Sequence, residues 1–546
     1  MTGLLLAATI ALPLLLLLAC ASSKLRTHLP PLFPFAPVPA LAAALIAHKG
    51  TMFVVGEGRA ALRFSLDLPG ATLLGAAAVL WICAGLYAAR SVRESSDPDS
   101  FVVSWLMTLT GCVGVFLAAD LIGFYFLLAV LSVGASGLVL QGKGPQAVRA
   151  SAIYLGLALF AEAILLVGLI LLARAVPNGS LLIRDAAAAL PNSPWRGTTL
   201  LLLLAGLGIK AGLLPLHFWM PFAYGTAPIP AAAVMSGAAV KASILAMIRF
   251  LPFGMALPAF GHPLAAIGLA GAFYGVAIGI TQSRPEIVLA YSSVSQMGFL
   301  VALLGMGMAG GDPATTLAAS FYAVHHLLVK GALFLAVGAV MLTGRRHLPW
   351  MLIPAAIIAL GLGGLPLTGG ALAKDAAKDL MNGGLAGTAA VASSIATTLL
   401  MIHFLRRLRA TAAADPQARA PASINAAWLV MAVASLVIPW ALYLSIPLDT
   451  LSKVFAPGAF WSALGPILAG AALAIVVEHF DDRLPRVPEG DIGVALVPLT
   501  QAGIDTGRLL ERVDAFARRW AVSCIALLLV SLVFGWAVMR GIGSAP

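Results

Sequence analysis

Long apolar runs recur along the whole 546-residue chain, and they limit its fold more than any other feature. A run of about 20 apolar residues is long enough to cross the roughly 30 Å hydrocarbon core of a bilayer as a helix. Hydrophobic residues make up 61% of the chain and charged residues 10%, against about 25% charged in a typical soluble domain. Because lipid offers the backbone no hydrogen bonds, the sequence predicts an all-α polytopic membrane protein in a lipid bilayer, without room for a sizeable soluble domain.

Sixteen apolar runs can be separated, so we predict about 14–16 transmembrane helices. No positive residue precedes the first run, which favours a retained span over a cleaved signal peptide. The predicted spans are 3–21, 31–47, 69–89, 101–118, 121–140, 148–174, 198–216, 228–250, 264–280, 287–307, 315–342, 350–380, 386–406, 425–446, 459–477 and 520–540.

Two of these runs share a pattern that indicates an internal repeat. GIKAGLLPLHFW and GLGGLPLTGGALAKD both contain Leu-Pro-Leu and a lysine, with Pro215 and Pro366 lying 151 residues apart. A proline inside a helix removes a backbone hydrogen bond and breaks or kinks the helix. Paired broken helices in two halves are typical of transport sites, so we predict broken helices 7 and 12 in two inverted five-helix repeats. The predicted segments are 1–100 (helices 1–3), 101–250 (helices 4–8), 264–410 (helices 9–13) and 411–546, with an amphipathic segment at 488–520 before the last span.

Basic residues concentrate in the loops that follow odd-numbered spans, such as Arg345 and Arg346. By the positive-inside rule these loops are cytoplasmic, which puts both termini on the outer side of a bacterial-type inner or plasma membrane. The net charge of +11 is therefore a topology signal rather than a nucleic-acid footprint. We expect no nucleic-acid partner.

Charged residues inside the apolar runs are the main functional signal. A lysine at a bilayer centre costs roughly 2.5–3.5 kcal/mol on insertion scales, and such residues mark ion and proton pathways. His326 and Lys330 are four residues apart and share one helix face. A lone buried histidine is usually structural, but the neighbouring lysines favour a relay. The candidate proton-transfer residues are Lys210, Lys241, His326, Lys330, Lys374 and Glu162, with His325 and His217 as secondary candidates.

Other charged residues receive different interpretations. Arg249 ends its span beside Phe250, which is typical of an interface anchor whose charged end reaches water. Asp375, Lys378 and Asp379 lie where the twelfth span is expected to leave the membrane.

Four ordered motifs resemble the antiporter-like membrane subunits of respiratory complex I, of Mrp-type cation/proton antiporters and of membrane-bound hydrogenases. They are KAGLLPLHFWMPFAYGTAPIPAAAVMSGAAVKASILAMIRF, LAYSSVSQMGFL, FYAVHHLLVKGALFLAVG and GLGGLPLTGGALAKD. The resemblance covers about residues 100–410. It implies a fourteen-helix core with a mid-membrane chain of charged residues. In that chain the family's lysines of spans 7, 8 and 12 and its histidine of span 11 match Lys210, Lys241, Lys374 and His326.

One departure from the family concerns its fifth span, which carries a glutamate in a motif like FxFWELMSL. The stretch here is FYFLLAVLS, and we assign the glutamate position to Ala129. That glutamate pairs with the seventh-span lysine in the family. We expect Glu162, on the sixth span, to replace it as the partner of Lys210, with the two charged groups within 8 Å.

The sequence also excludes several kinds of site. Cysteines occur singly, without the spacing of a zinc or iron–sulfur site. GMGMAG matches a nucleotide fingerprint in spelling only, since no strand precedes it. We expect no metal and no cofactor in this chain, and enzyme activity only as a membrane subunit of an NADH:quinone oxidoreductase-like translocase.

The expected function is proton translocation as an antiporter-like subunit beside other membrane subunits. The complex would be NADH:quinone oxidoreductase-, hydrogenase- or Mrp-antiporter-like, with Na+ open as a second transported ion. The alternatives are a non-pumping structural or partner-gating subunit, a subunit of a bicarbonate-accumulating complex, and a stand-alone transporter.

Overall fold

The computed structural model describes residues 2–47, 50–58, 61–95, 97–381, 384–445, 455–480 and 485–495. The chain divides into two compact units, Met1–Glu489 and Gly490–Pro546. Twelve helices among the described residues are long and apolar enough to cross a membrane. The predicted last span, 520–540, and most of the predicted amphipathic segment, 488–520, lie outside the described residues.

The described part of the first unit is mostly helical, as predicted. Its first half contains α1 (Thr2–Ala19), α2 (Ser23–Arg26), α3 (Val38–Ile46), α4 (Leu68–Ser91), α5 (Pro98–Leu117), α6 (Leu121–Leu140), α7 (Pro145–Arg174), α8 (Ile183–Ala189), α9 (Arg196–Ala211), α10 (Trp219–Thr226), α11 (Ile229–Val234) and α12 (Lys241–Phe250). Its second half contains α13 (Pro258–Gly279), α14 (Pro285–Gly310), α15 (Thr315–Met341), α16 (Leu348–Gly363), α17 (Gly369–Lys378), α18 (Gly384–Ala410), α19 (Ala422–Ser445) and α20 (Pro457–His479). In the second unit the described residues form one short helix, α21 (Asp491–Ala495).

The predicted second span, 31–47, is wrong as a full crossing. A 3-10 turn at Pro30–Leu32 precedes α3, which has only nine residues. Such a helix is about 14 Å long, roughly half the thickness of the hydrocarbon core. The prolines of this stretch shorten the helix because each lacks a backbone donor.

A short β-hairpin follows α3 and was not predicted. Strands β1 (Met52–Val55) and β2 (Leu62–Ser65) pair antiparallel, with Met52 opposite Ser65 and Val55 opposite Leu62. The hairpin is tied to the start of α6, where Asp120 accepts hydrogen bonds from the backbone N–H groups of Arg63 at 2.6 Å and Gly123 at 2.7 Å. Asp120 therefore caps a helix, which accounts for its burial in an apolar setting.

The middle of the first unit is formed by α14, α15 and the α11–α12 segment, whose residues are almost all buried. The pair α13 and α14 approaches closely at glycines on both helices. A Cβ atom at Gly268 would lie 2.5 Å from the Gly298 carbonyl oxygen, and a Cβ at Gly275 would lie 2.6 Å from the Tyr291 carbonyl oxygen. Small residues permit such contact between helices in a membrane. The candidate proton-transfer residues of α12 and α15 thus lie in the most enclosed part of the fold.

The prediction that the Arg249 guanidinium reaches toward water is wrong. Its guanidinium donates two hydrogen bonds to Asp67, at 2.9 and 2.8 Å, and others to the carbonyls of Phe116 and Ala118 at the end of α5. Asp67 directly precedes α4. Burial raises the pKa of the Asp67 carboxyl, but the charge and hydrogen bonds of Arg249 outweigh it, so the pKa lies below its ordinary value. The pair therefore joins the ends of three helices.

We expect Asp67→Asn to lower the melting temperature, because it removes the carboxylate that holds a mostly buried guanidinium. Since the pKa of Asp67 is lowered by folding, its stabilisation is complete above the unfolded pKa and is lost as pH falls through the folded value. Thermal unfolding of the solubilised protein across acidic and neutral pH measures both effects. Asp99→Asn, which breaks the more exposed pair with Arg26, is the control, and equal losses in the two variants would contradict this role.

Candidate functional site

Lys210 lies in the last turn of α9, directly before the first helix break. The helix ends at Gly212, whose φ of 77° is left-handed, and the cis Leu214–Pro215 bond follows. The unpaired carbonyls at a helix C-terminus favour a positive charge there. The sequence 212–218 is not helical, and α10 starts only at Trp219. The predicted broken helix 7 is therefore present at Pro215.

Lys210 and Glu162 form an ion pair, as expected from the sequence. Lys210 Nζ lies 2.7 Å from Glu162 Oε1 and 2.7 Å from Ser132 Oγ, and Ser132 donates to the same carboxylate oxygen at 2.6 Å. The two charged side chains are 11% and 4% exposed. Charge-assisted bonds of this kind are short and strong. Helices α6, α7 and α9 therefore meet at one buried charged cluster.

On α6 no carboxylate replaces the family's fifth-span glutamate, whose position we assigned to Ala129. Leu128, Leu131 and Ser132 line the space beside Lys210, whereas Ala129 does not. The site on α6 that faces the lysine thus offers a serine hydroxyl and leucines instead of a carboxylate.

A small cavity of about 40 Å³ adjoins Lys210. Its polar lining comes from Ser132, Tyr154, Tyr224 and Ser243. The Tyr224 hydroxyl has no hydrogen-bond partner among the residues that the structure describes. The cavity exceeds the roughly 10–15 Å³ that one water molecule needs, and its polar groups supply the required partners.

Lys241 is the first residue of α12 and is completely buried. It follows a π-helical turn, Met235–Ala239, a distortion that is frequent at functional sites. Its ammonium group donates to the Ser236 carbonyl oxygen at 3.0 Å. Within the described residues no carboxylate forms an ion pair with Lys241.

His326 and Lys330 lie on α15, one turn apart and completely buried. Lys330 Nζ donates to the Leu289 carbonyl oxygen of α14 at 2.7 Å. His326 is close enough to Lys241, Lys330 and His325 for direct electrostatic interaction. Neither ring nitrogen of His325 or of His326 has a hydrogen-bond partner in the described part of the chain. The structure thus brings the ionisable groups of α12 and α15 together.

Lys374 lies on α17, after the second helix break. Helix α16 ends at Gly363, and Gly364 and Leu367 have φ values of 100° and 63° in a break that contains Pro366. Lys374 Nζ donates to the Gly363 carbonyl oxygen at 2.6 Å and to Ser394 Oγ at 2.7 Å. The predicted broken helix 12 is therefore present, and its lysine is bonded to a carbonyl that the break leaves free.

His325 connects α15 with the start of α17. A Cβ atom at Gly369 would lie 2.9 Å from His325 Nδ1, and one at Gly370 would lie 3.0 Å from Nε2 and 1.7 Å from the Gly361 carbonyl oxygen. His325 also interacts electrostatically with Lys374. The two glycines therefore permit the imidazole to lie against the broken helix.

Beyond Lys374 a cavity of about 690 Å³ lies among α16, α17, α18 and α20. Lys374, Asp375 and Lys378 line it, and Lys378 and Asp379 are exposed. The remaining candidate, His217, is completely buried and packs edge-on against Tyr274, with ring centroids 5.0 Å apart. Among the described residues no group of three histidine, cysteine or carboxylate side chains could hold a metal ion.

The hydroxyl groups that hold the lysines were not predicted from the sequence. Ser132 and Ser394 accept from Lys210 and Lys374, and Ser236 and Ser293 bond to each other at 2.9 Å between the π-helical turn and α14. A search for charged residues passes over serine, although the run LAYSSVSQ on α14 is unusually polar for a buried helix.

We expect Glu162→Ala to destabilise the protein by roughly 3–5 kcal/mol, because it leaves a buried ammonium without its counter-charge. Chemical unfolding of the solubilised protein measures the loss. Leu128→Glu should recover part of it, since a carboxylate at that position faces Lys210. Ala129→Glu is the matched control, and recovery by Ala129→Glu but not by Leu128→Glu would contradict this orientation of α6 toward Lys210.

Comparisons with known proteins agree with this architecture. Residues 118–402 match the family described as NADH:quinone oxidoreductase/Mrp antiporter, TM. NADH-quinone oxidoreductase subunit N of Desulforudis audaxviator is 34% identical over 45% of this chain and 50% of its own length. A Na(+)/H(+) antiporter subunit of Alkalihalophilus pseudofirmus is 28% identical over 56% of this chain and 64% of its own. Hydrogenase-4 component B of Escherichia coli is 27% identical over 56% and 49%.

The fold is shared with a solved assembly. A chain of the Mrp complex from Dietzia sp. superposes with a TM-score of 0.81 at 22% identity, covering 100% of this chain and 63% of that one. The three curated relatives above are matched over half to about two thirds of their length. Since the family match covers more than half of the chain, this multi-pass membrane protein with an antiporter-like fold belongs to the NADH:quinone oxidoreductase/Mrp antiporter transmembrane family.

Proposed function

We propose that this chain is a proton-translocating, antiporter-like subunit of a multisubunit membrane complex. The observation that carries the proposal is the series of buried and partly buried amines and imidazoles that runs from α9 through α12 and α15 to α17. Intramembrane ionisable groups of this kind are retained for ion and proton pathways rather than for stability. In this series only Lys210 is ion-paired to a carboxylate among the described residues.

In the first half, Lys210 and Glu162 form the loading site. A proton on the lysine is held by the carboxylate and by Ser132. The adjoining cavity has room for water beside the pair, and water can carry a proton to or from the amine. Any movement of Glu162 changes the preference of Lys210 for its proton, because the nearby negative charge stabilises the ammonium form.

The second half begins where Lys241 meets α15. Lys241, His326 and Lys330 lie within electrostatic range of one another, so the three groups do not favour carrying positive charge at the same time. A proton that arrives at one therefore tends to displace a proton from another. This repulsion couples the protonation states of the three groups without any redox group.

The exit end of the proposed proton path consists of His325 and Lys374. The imidazole lies between its neighbour His326 and the broken helix, and it interacts electrostatically with Lys374. Lys374 also lines the large cavity that contains Lys378. We infer that protons leave the chain on this side.

The proposal also includes the membrane, the orientation of the chain and its partner subunits. The positive-inside pattern supports a bacterial-type inner membrane with both termini outside. The names of the relatives support partner membrane subunits and an NADH:quinone oxidoreductase-, hydrogenase- or Mrp-type complex, with H+ as the transported ion and Na+ as a second candidate. A bicarbonate-accumulating complex that uses a similar subunit is the remaining alternative.

A second candidate function is a structural or partner-gating subunit that does not pump. The short contacts among Lys210, Glu162 and Ser132 favour this structural role, since Lys210 Nζ lies 2.7 Å from an oxygen of each of the other two side chains. A fully satisfied buried pair of this kind fixes a packing arrangement. In that role the cluster would hold α6, α7 and α9 together in one state.

The two functions differ in how they depend on Lys374. The full-length protein, purified with the subunits that accompany it, is reconstituted into vesicles that contain a pH-sensitive dye. A potassium diffusion potential then drives proton entry. We expect Lys374→Met to reduce this flux by roughly a hundredfold, the range lost when a positioned proton-transfer group is removed.

Lys378→Met, one turn further along α17 and exposed, is the matched control and should keep most of the flux. Gel filtration and thermal unfolding confirm that each variant is folded and assembled. Wild-type flux in a folded Lys374→Met complex would contradict proton translocation and favour the structural role.

A further inference from the structure

Two serine hydroxyls join the backbone sites that hold Lys241 and Lys330. Ser236, in the π-helical turn, offers its carbonyl oxygen to Lys241 at 3.0 Å. Its hydroxyl lies 2.9 Å from the hydroxyl of Ser293 on α14. Ser293 in turn donates to the Leu289 carbonyl oxygen at 3.1 Å, which is the same oxygen that Lys330 binds at 2.7 Å. One continuous polar strip therefore connects the lysines of the two halves.

This strip is enclosed by the protein. Ser236, Ser293, Lys241 and Lys330 each have no exposed surface. In such an interior a hydrogen bond is electrostatically stronger than in water, and an unpaired polar group is costly. The four groups therefore depend on one another for their positions.

The π-helical turn is the reason that Ser236 can serve Lys241. The Val240 N–H bonds to the Met235 carbonyl, five residues back, instead of to the Ser236 carbonyl as in an α-helix. The Ser236 carbonyl is thereby released for the Lys241 ammonium group. The same turn packs closely on α15, where a Cβ at Gly237 would lie 3.2 Å from the Leu327 carbonyl oxygen.

The hydroxyl pair also has two hydrogen-bond directions. A serine hydroxyl carries one donor and two acceptor sites, and its hydrogen can rotate. If Ser293 donates to Leu289, it shares that carbonyl with Lys330. If Ser293 donates to Ser236, the Lys330 ammonium group is the only side-chain donor to that carbonyl. A charged Lys330 has three N–H donors, whereas a neutral one has two and a free lone pair. Because Lys330 and Ser293 share the Leu289 carbonyl, the protonation state of Lys330 is linked to the direction of the hydrogen bond between the two serines.

We propose that Ser236 and Ser293 are positioning residues that couple Lys241 to Lys330 and so connect proton transfer in the two halves. The inference rests on the proposed function and extends it to groups that carry no charge. The transferred proton leaves the nitrogen of one lysine and forms an N–H bond on the other, through intervening water or His326. The serines hold the two lysine nitrogens and the shared Leu289 carbonyl in position, and they undergo no net change.

The test uses the same vesicle assay of the full-length protein with its accompanying subunits. Ser293→Ala and Ser236→Ala each remove one side of the bridge, and each should lower proton flux roughly three- to tenfold, the range of one net hydrogen bond. Ser293→Thr should keep flux within about twofold, because a helical threonine retains a hydroxyl that bonds the carbonyl four residues back.

Ser292→Ala and Ser295→Ala are the matched controls on the same helix. Both serines are buried, and neither hydroxyl has a partner among the described residues. Thermal unfolding identifies any variant that fails to fold, in which case the Ser236 variant tests the bridge from its other side.

Loss of flux in Ser293→Ala and Ser236→Ala, with the controls and Ser293→Thr unaffected, supports the bridge. Equal flux in Ser293→Ala and the controls, or a Ser293→Thr flux as low as that of Ser293→Ala, overturns it. If Lys374→Met also keeps wild-type flux, the proposed function itself fails, whereas flux that needs Lys374 but not Ser293 removes only the bridge.

Discussion

The structure depends on how it accommodates positive charge in an apolar interior. An ammonium group deep in a membrane protein needs a carboxylate or several oxygen acceptors. Lys210 has both, in Glu162 and Ser132. Lys241, Lys330 and Lys374 bind neutral oxygens instead. A neutral acceptor holds an ammonium group without locking it in the charged state, and this difference separates the first lysine from the other three.

Irregular backbone supplies two of these four neutral acceptors. The carbonyl of Gly363 is free because α16 ends there, before the break at Pro366, and the carbonyl of Ser236 is free because its turn is π-helical. The last turn of a helix and a π-helical turn both leave carbonyls without their usual N–H partners. The breaks that weaken these helices are therefore the features that make room for their lysines. Beside them, α13 packs closely on α14 through Gly268 and Gly298.

The resemblance to the antiporter-like subunits led to the prediction of the Lys210–Glu162 pair. Hydrophobicity, proline positions and intramembrane charges sufficed to predict most of the long helices and both breaks. They failed where the decisive contact joins distant segments. Arg249 was expected at the interface, yet its partner Asp67 lies 182 residues earlier in the chain. The hydroxyl bridge was invisible for a related reason. Serine is common in membrane helices, and only the three-dimensional structure distinguishes Ser293, which bonds Ser236, from its neighbour Ser292.

The central claim is that the buried lysines form one proton path through both halves, and Lys241 is the residue where the halves meet. Its most direct test is the potential-driven proton flux of a Lys241→Met complex, measured beside Lys143→Met, which removes an exposed loop lysine between α6 and α7. The account predicts a loss of roughly a hundredfold for Lys241→Met and almost none for Lys143→Met. Wild-type flux through a folded, assembled Lys241→Met complex would contradict it.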